Sequence, residues 1–181
     1  MTEPSNAALG ALVAKDEIRE LVLLYSRAID RKDFALLRTL YARDATDKHG
    51  DSYDGAAEGF CAWLEERLPG LRYSGHHVCN HLISVDGDTG EGEVYALAYQ
   101  TIRGENGAGE KGDWVEYVLA VRYLDHYRKE DGRWRFARRE VTYDQGVFHP
   151  VAAPEGPIPA PERDDSYAAL RSRLFARGAR A

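Results

Sequence analysis

Residues 73–85 read YSGHHVCNHLISV, and the fold turns on how this stretch is taken. It follows a Pro69-Gly70 break and stops at the turn Asp86-Gly87-Asp88. Between those breaks apolar and β-branched residues are frequent enough to predict a strand. Side chains of a strand alternate between its two faces. His76, Val78, Asn80 and Leu82 therefore share one face, and His77, Cys79, His81 and Ile83 the other. Whichever face turns inward carries polar residues with it, either His76 and Asn80 or His77 and His81. A buried imidazole or carboxamide needs a hydrogen-bond partner, so the strand belongs to a satisfied core network or to a site.

Beyond this strand the period of two continues. Segments 91–102 (EGEVYALAYQTI), 114–128 (WVEYVLAVRYLDHYR) and 133–147 (RWRFARREVTYDQGV) read as three more strands. A glycine-rich polar connection over 103–113 joins two of them, and Asp131-Gly132 is a hairpin signal before the last. Upstream, the period is that of a helix. Segment 16–30, DEIRELVLLYSRAID, sets Ile18, Leu21, Val22, Tyr25, Ala28 and Ile29 on one buried stripe. Asp33 is a good N-cap for a second helix over 34–41. A third helix runs from 54 or 55 to 67 and stops at Pro69-Gly70. Asp44, Asp47 and His49, between the second and third helices, read as a solvated loop, with contact at the pocket mouth as the less favoured reading.

Residues 1–15 read as a flexible arm, and the proline-rich tail over 150–181 excludes regular structure apart from a short helix over 166–177. The domain proper is then 16–149. Three helices ahead of four strands predict an α+β architecture, with the helices packed on one face of a strongly curved, mostly antiparallel sheet. Such a sheet capped by helices makes a cone with one open mouth, a favoured place for a pocket.

Composition narrows the function. A chain of 181 residues holds one full core, and a net charge of −6 argues against a nucleic-acid surface. No apolar run approaches the roughly 20 residues that span a bilayer, and no secretory signal opens the chain, so no membrane partner is expected. The two cysteines, Cys61 and Cys79, make no disulfide framework, which points to a cytoplasmic protein. His77 and His81 stand four residues apart on a strand, roughly 13 Å, too far to share a zinc ion. No metal is expected.

Three pieces, IRELVLLYSRAIDRKDFALLRTLYARDATDKHG, HHVCNHLISVDGDTGEGEVYALAY and YLDHYRKEDGRWRFARREVTYD, together resemble the nuclear-transport-factor-2-like superfamily. The resemblance is to its polyketide-cyclase-like (SnoaL-like) and scytalone-dehydratase-like branch, and spans about residues 16–145. It implies a cone-shaped α+β barrel and acid–base chemistry without a cofactor. It also implies a histidine on the first long strand, at His76, and an aspartate at the end of the first helix, at Asp30. Tyr25 falls at a tyrosine of the dehydratase members, and Arg139 at an arginine in the last strand of the dehydrochlorinases. Asn80, Tyr95, Tyr99 and Arg139 are then expected to contact substrate.

The activity so implied is a lyase, eliminating or isomerising a small hydrophobic, cyclic substrate. His76 takes a proton from carbon, Asp30 orients it, and Tyr25 polarises a carbonyl or assists a leaving hydroxyl. The same fold also serves as a non-catalytic ligand-binding or scaffold domain and as a ketosteroid-isomerase-type isomerase. Val118, Ala120, Val121 and Tyr123 read as an apolar outer sheet face, and with the resemblance they imply a homo-oligomer, a trimer ahead of a dimer.

Overall fold

The apolar stripe of the first helix gathers the rest of the chain around it. In the computed structural model, which describes residues 5–104 and 113–178, α1 (Asn6–Asp30) buries Ile18, Leu21, Val22, Tyr25, Ala28 and Ile29. It starts well before the expected Asp16. Ser5 caps it, accepting a hydrogen bond from the Ala8 N–H at 3.2 Å. The stretch expected as a flexible arm is therefore helical from Asn6. Its Ala and Leu residues are strong helix formers, and they extend the helix although Leu9, Leu12 and Val13 stay exposed.

Asp33 caps α2 (Phe34–Leu40) as expected, accepting from the Leu36 N–H at 3.1 Å. The chain then passes straight into β1 (Tyr41–His49) and turns back into β2 (Tyr53–Ala56). β1 lies where a solvated loop was expected, and β2 takes up the first residues expected of the third helix, which starts only at Ala57. Inside β1 the residues Ala45 and Asp47 alternate inward, and the Asp47 side chain has no exposed surface. A polar residue at an inward position is what hid this strand. The third helix, α3 (Ala57–Arg67), ends at the 3-10 turn Leu68–Gly70.

Four long strands follow: β3 (Tyr73–Asp86), β4 (Thr89–Arg103), β5 (Trp114–Glu130) and β6 (Arg133–Val151). The glycine-rich connection before β5 lies mostly outside the described residues. Asp131 and Gly132 join β5 to β6 with φ of 51° and 76°, the left-handed pair that a type I′ hairpin turn requires. The sheet order is β2-β1-β6-β5-β4-β3. Pairing is antiparallel except between β1 and β6. The sheet curls without closing, and its concave side presents Val94, Ala96, Val121, Tyr123, Phe136 and Val141 to α1. The architecture is the α+β cone.

β3 departs from simple alternation. Its pairing with β4 shifts between Val78 and His81, so Cys79 and Asn80 form a bulge. Before the bulge, His76 and Val78 sit opposite the buried Ala98 and Ala96; after it, His81 sits opposite the buried Val94. Inward positions thus run 76, 78, 81, 83, 85. Asn80 and Leu82, expected on the face of His76, point outward instead, with Leu82 70% exposed.

β6 runs to Val151 and so takes in Pro150, where the tail was expected to begin. Beyond Val141 it has no pairing with β1, and proline is tolerated on such an edge. The tail folds back over the end of α1. Arg27 donates to Ser166 Oγ and to the Phe175 carbonyl at 3.0 and 3.1 Å, and the Gly178 N–H donates to Asp33 Oδ2 at 2.8 Å. In place of the helix expected over 166–177 there are two short turns of helix, α4 (Asp165–Ala169) and Arg173–Phe175. Segments this short do not hold alone, and the α1 contacts set their shape.

Candidate active site

His76 is the hub of the site. Its Nδ1 lies 2.6 Å from Asp30 Oδ1, and its backbone N–H donates to Asp30 Oδ2 at 2.9 Å. Ser74 Oγ donates to Asp30 Oδ1 at 3.0 Å. Asp30 is thus tied to β3 by three hydrogen bonds from two residues. Burial alone would raise its pKa, but the His76 and Ser74 interactions outweigh burial and hold the carboxyl below its usual value. An ionised carboxylate accepts only, so Nδ1 carries the hydrogen, and in the neutral ring the lone pair is on Nε2. No hydrogen-bond partner of Nε2 is found among the described residues.

His76 lines a cavity of about 420 Å³ between α1, α3 and the concave sheet. Tyr25, Trp63, Leu119, Val121 and Tyr123 line it with His76, and Gln100, Ser52 and His49 add polar groups. Asp30 does not reach this cavity. It lies behind His76, in a second cleft of about 670 Å³ under the tail. Tyr25 and Asp30, about 140° apart on an ideal helix, therefore need not share a wall: Tyr25 touches the cavity and Asp30 acts through the imidazole. Burial, and then the nearby Asp47 charge, push the Tyr25 phenol well above its usual pKa, so it stays a donor.

Arg139 is elsewhere than expected. It has no exposed surface and does not line the cavity. Its Nε and Nη2 donate to the two oxygens of Asp125, each at 2.7 Å. The guanidinium carbon sits 4.1, 4.3 and 4.0 Å from the ring centroids of Tyr25, Tyr123 and Phe136. Two of those rings form the cavity wall, so Arg139 backs the wall. Its Nη1 makes no hydrogen bond, and the π-faces around it partly replace one.

Three further residues expected at the substrate are outside the cavity. Asn80 is turned out by the bulge. Tyr95 and Tyr99 lie on the convex face, where Tyr95 meets Arg122 and Tyr99 packs edge-on against His77. The alternating Ala96 and Ala98 take the inner, buried positions of β4, and Ala98 lines the cavity.

Sequence reasoning missed a second imidazole. His49, at the end of β1, lines the cavity, and its Nδ1 lies 2.6 Å from Asp47 Oδ1. The other Asp47 oxygen accepts from the Tyr41 hydroxyl at 2.5 Å. The Asp-x-His spacing next to an inward Ala45 was the available signal, a period of two carried by polar residues. Among the described residues, no group of three or more His, Cys, Asp or Glu side chains is placed to hold a metal ion.

A family model described as SnoaL-like domain matches residues 10–140. The chain belongs to the SnoaL-like family. No curated protein matches its sequence. Solved structures similar to this SnoaL-like chain include a candidate scytalone dehydratase of Novosphingobium aromaticivorans, with a TM-score of 0.66 and 22% identity. That match covers 78% of this chain and 91% of the other. A hexachlorocyclohexane dehydrochlorinase, LinA-type3 of Novosphingobium barchaimii, is similar at a TM-score of 0.64 and 18% identity, over 82% of this chain and 97% of its own. At these identities the likeness shows the SnoaL-like fold, and the chemistry has to be argued from the site.

Proposed function

We propose that this SnoaL-like protein is a cofactor-independent lyase that removes water from a small, hydrophobic, cyclic molecule. The observation that supports it most is the His76–Asp30 pair, 2.6 Å apart, with the open edge of the imidazole on a largely apolar cavity. His76 is the general base and takes a proton from carbon. Asp30 holds the ring in the required tautomer and stabilises the imidazolium that forms. Tyr25, kept protonated, donates to a carbonyl next to that carbon and stabilises the enolate. One placed proton acceptor contributes about 10²–10⁴-fold, so the rest must come from orientation and exclusion of water. A volume of about 420 Å³ lies within the usual range for small-molecule pockets and suits a ring system of modest size. Dehydratase and dehydrochlorinase relatives of the same fold are in keeping with this chemistry.

The test is a panel of cyclic β-hydroxy ketones incubated in D₂O with the wild type and with His76→Ala. Deuterium should enter the carbon next to the carbonyl, and enone should form, only with the wild type. Wild-type protein that exchanges no member of the panel, or a His76→Ala variant that exchanges as fast, overturns the reading. The protein is also proposed to work in the cytoplasm as a homo-oligomer, since Leu82, Tyr95, Leu97 and Leu124 leave the convex face apolar.

A further inference from the structure

The cavity is lined by two imidazoles, and they reach it from far apart in the sheet. His76 is on β3, at one edge, and His49 is on β1, with β6, β5 and β4 between them. In a flat sheet four strand spacings would separate them by about 19 Å. Curvature brings both onto one cavity of about 420 Å³, and a sphere of that volume is about 9 Å across. A bound ring therefore lies within reach of both.

His49 is held as firmly as His76. Its Nδ1 is 2.6 Å from Asp47 Oδ1, and the Asp47 side chain has no exposed surface. The Tyr41 hydroxyl fixes the other carboxylate oxygen at 2.5 Å. The ring stacks on Phe60, with centroids 4.5 Å apart and planes 23° apart, which sets its tilt. Its Nε2 has no hydrogen-bond partner among the described residues. A histidine serving only to pack would not need a buried carboxylate, itself anchored by a tyrosine, behind one nitrogen while the other is left open on a cavity.

We propose that His49, positioned by Asp47, is the general acid of the site and protonates the leaving oxygen after His76 has removed the carbon proton. This rests on the lyase reading above. His49 enters as the imidazolium and His76 as the neutral base. The C–H electron pair becomes the new C=C bond, and the C–O pair leaves with oxygen. That oxygen takes the His49 Nε2 proton and departs as water. His76 ends protonated and His49 neutral, and one proton returned through solvent resets the pair, so no oxidant or reductant is consumed. With one group for each proton, His76 forms the enolate and His49 lets the oxygen leave from it as water.

The experiment compares 3-hydroxycyclohexanone with 3-acetoxycyclohexanone, whose acetate leaves without protonation. With His49→Gln, elimination of the hydroxy compound should fall by about 100-fold or more. Elimination of the acetoxy compound should fall far less, and deuterium exchange next to the carbonyl, which needs His76, should remain measurable. Asp47→Asn keeps the side-chain size and should show the same selective loss. His76→Ala should abolish exchange and both eliminations. A His49→Gln protein that eliminates both compounds at the wild-type rate, or loses both equally while exchange persists, overturns the assignment and leaves His76 standing. Absence of exchange with the wild type overturns the lyase reading and this inference with it. If neither variant folds, the wild type decides: with an acid in place the hydroxy compound keeps pace with the acetoxy compound, and a lag of orders of magnitude overturns the proposal.

Discussion

Arg139 and Asp125 meet inside the cone through two hydrogen bonds of 2.7 Å, and neither side chain has any exposed surface. Tyr127 adds a third, donating to Asp125 Oδ2 at 2.9 Å. Removing one member of a buried pair leaves the other charge without compensation. Asp125→Ala should therefore lose about 3–5 kcal/mol of unfolding free energy, read as a lower urea midpoint. Replacing both at once, Asp125→Leu with Arg139→Met, should recover most of that loss. A single Asp125→Ala within about 1 kcal/mol of the wild type would show that the pair is not dry.

The Asp30 carboxyl carries a signature in acid. Its folded pKa lies below the unfolded value near 3.8. The unfolded chain therefore binds a proton more readily than the folded one. The stability contributed is complete above the unfolded pKa and is lost as pH falls through the folded value. Urea midpoints measured from about pH 5 down to about pH 2.5 should fall less steeply for Asp30→Asn than for the wild type. Identical slopes would mean that His76 does not hold the carboxylate as the geometry implies.

His81 acts in a higher window. Burial lowers its pKa from 6.5 to about 4, and its Nε2 lies 3.2 Å from the Tyr127 hydroxyl. The folded protein thus favours the neutral ring. That contribution is full above about pH 6.5 and disappears as pH falls toward about 4. His81→Gln should flatten the change in urea midpoint across this window, while its stability near pH 7.5 changes only modestly. An unaltered slope would place the responsible histidine elsewhere.

Assembly is open to a direct measurement. Leu82, Tyr95, Leu97 and Leu124 stand exposed on the convex face of neighbouring strands. Light scattering at micromolar concentration should report a trimer or a dimer, and Leu97→Glu with Leu124→Glu should shift it to monomer without altering far-ultraviolet circular dichroism. A wild-type monomer would remove the proposal.

Long regular patterns made most of the fold legible. The α1 stripe, the Asp33 cap, the Asp131-Gly132 turn and β3 to β6 all follow from local spacing. The approach of Asp30 to His76 was implied by the family resemblance alone. What escaped depends on which side chains turn inward. β1 reads as polar because its inward Asp47 is satisfied by its near neighbours Tyr41 and His49, and only the Asp-x-His spacing in 41–49 hints that these polar groups face the interior together. Val121 and Tyr123, expected outside, line the cavity instead, while Val118 and Ala120 keep the convex face. Alternation says which residues share a side and leaves open which side is in. For β4 the inner side went to Ala96 and Ala98, which left Tyr95 and Tyr99 on the convex face.

The bulge at Cys79 and Asn80 divides β3 into two stretches with separate duties. Residues 73–78 carry His76, the proposed base, and its contacts with Asp30, while 81–86 seat the strand against α1 and the Tyr127 network. Because the kink absorbs a change of phase, a substitution in one stretch need not propagate into the other. A lineage could retool the reactive end of this strand for a new substrate while the helix keeps its seat, and a designer could graft alternative residues at 74, 76 and 78 with the same freedom.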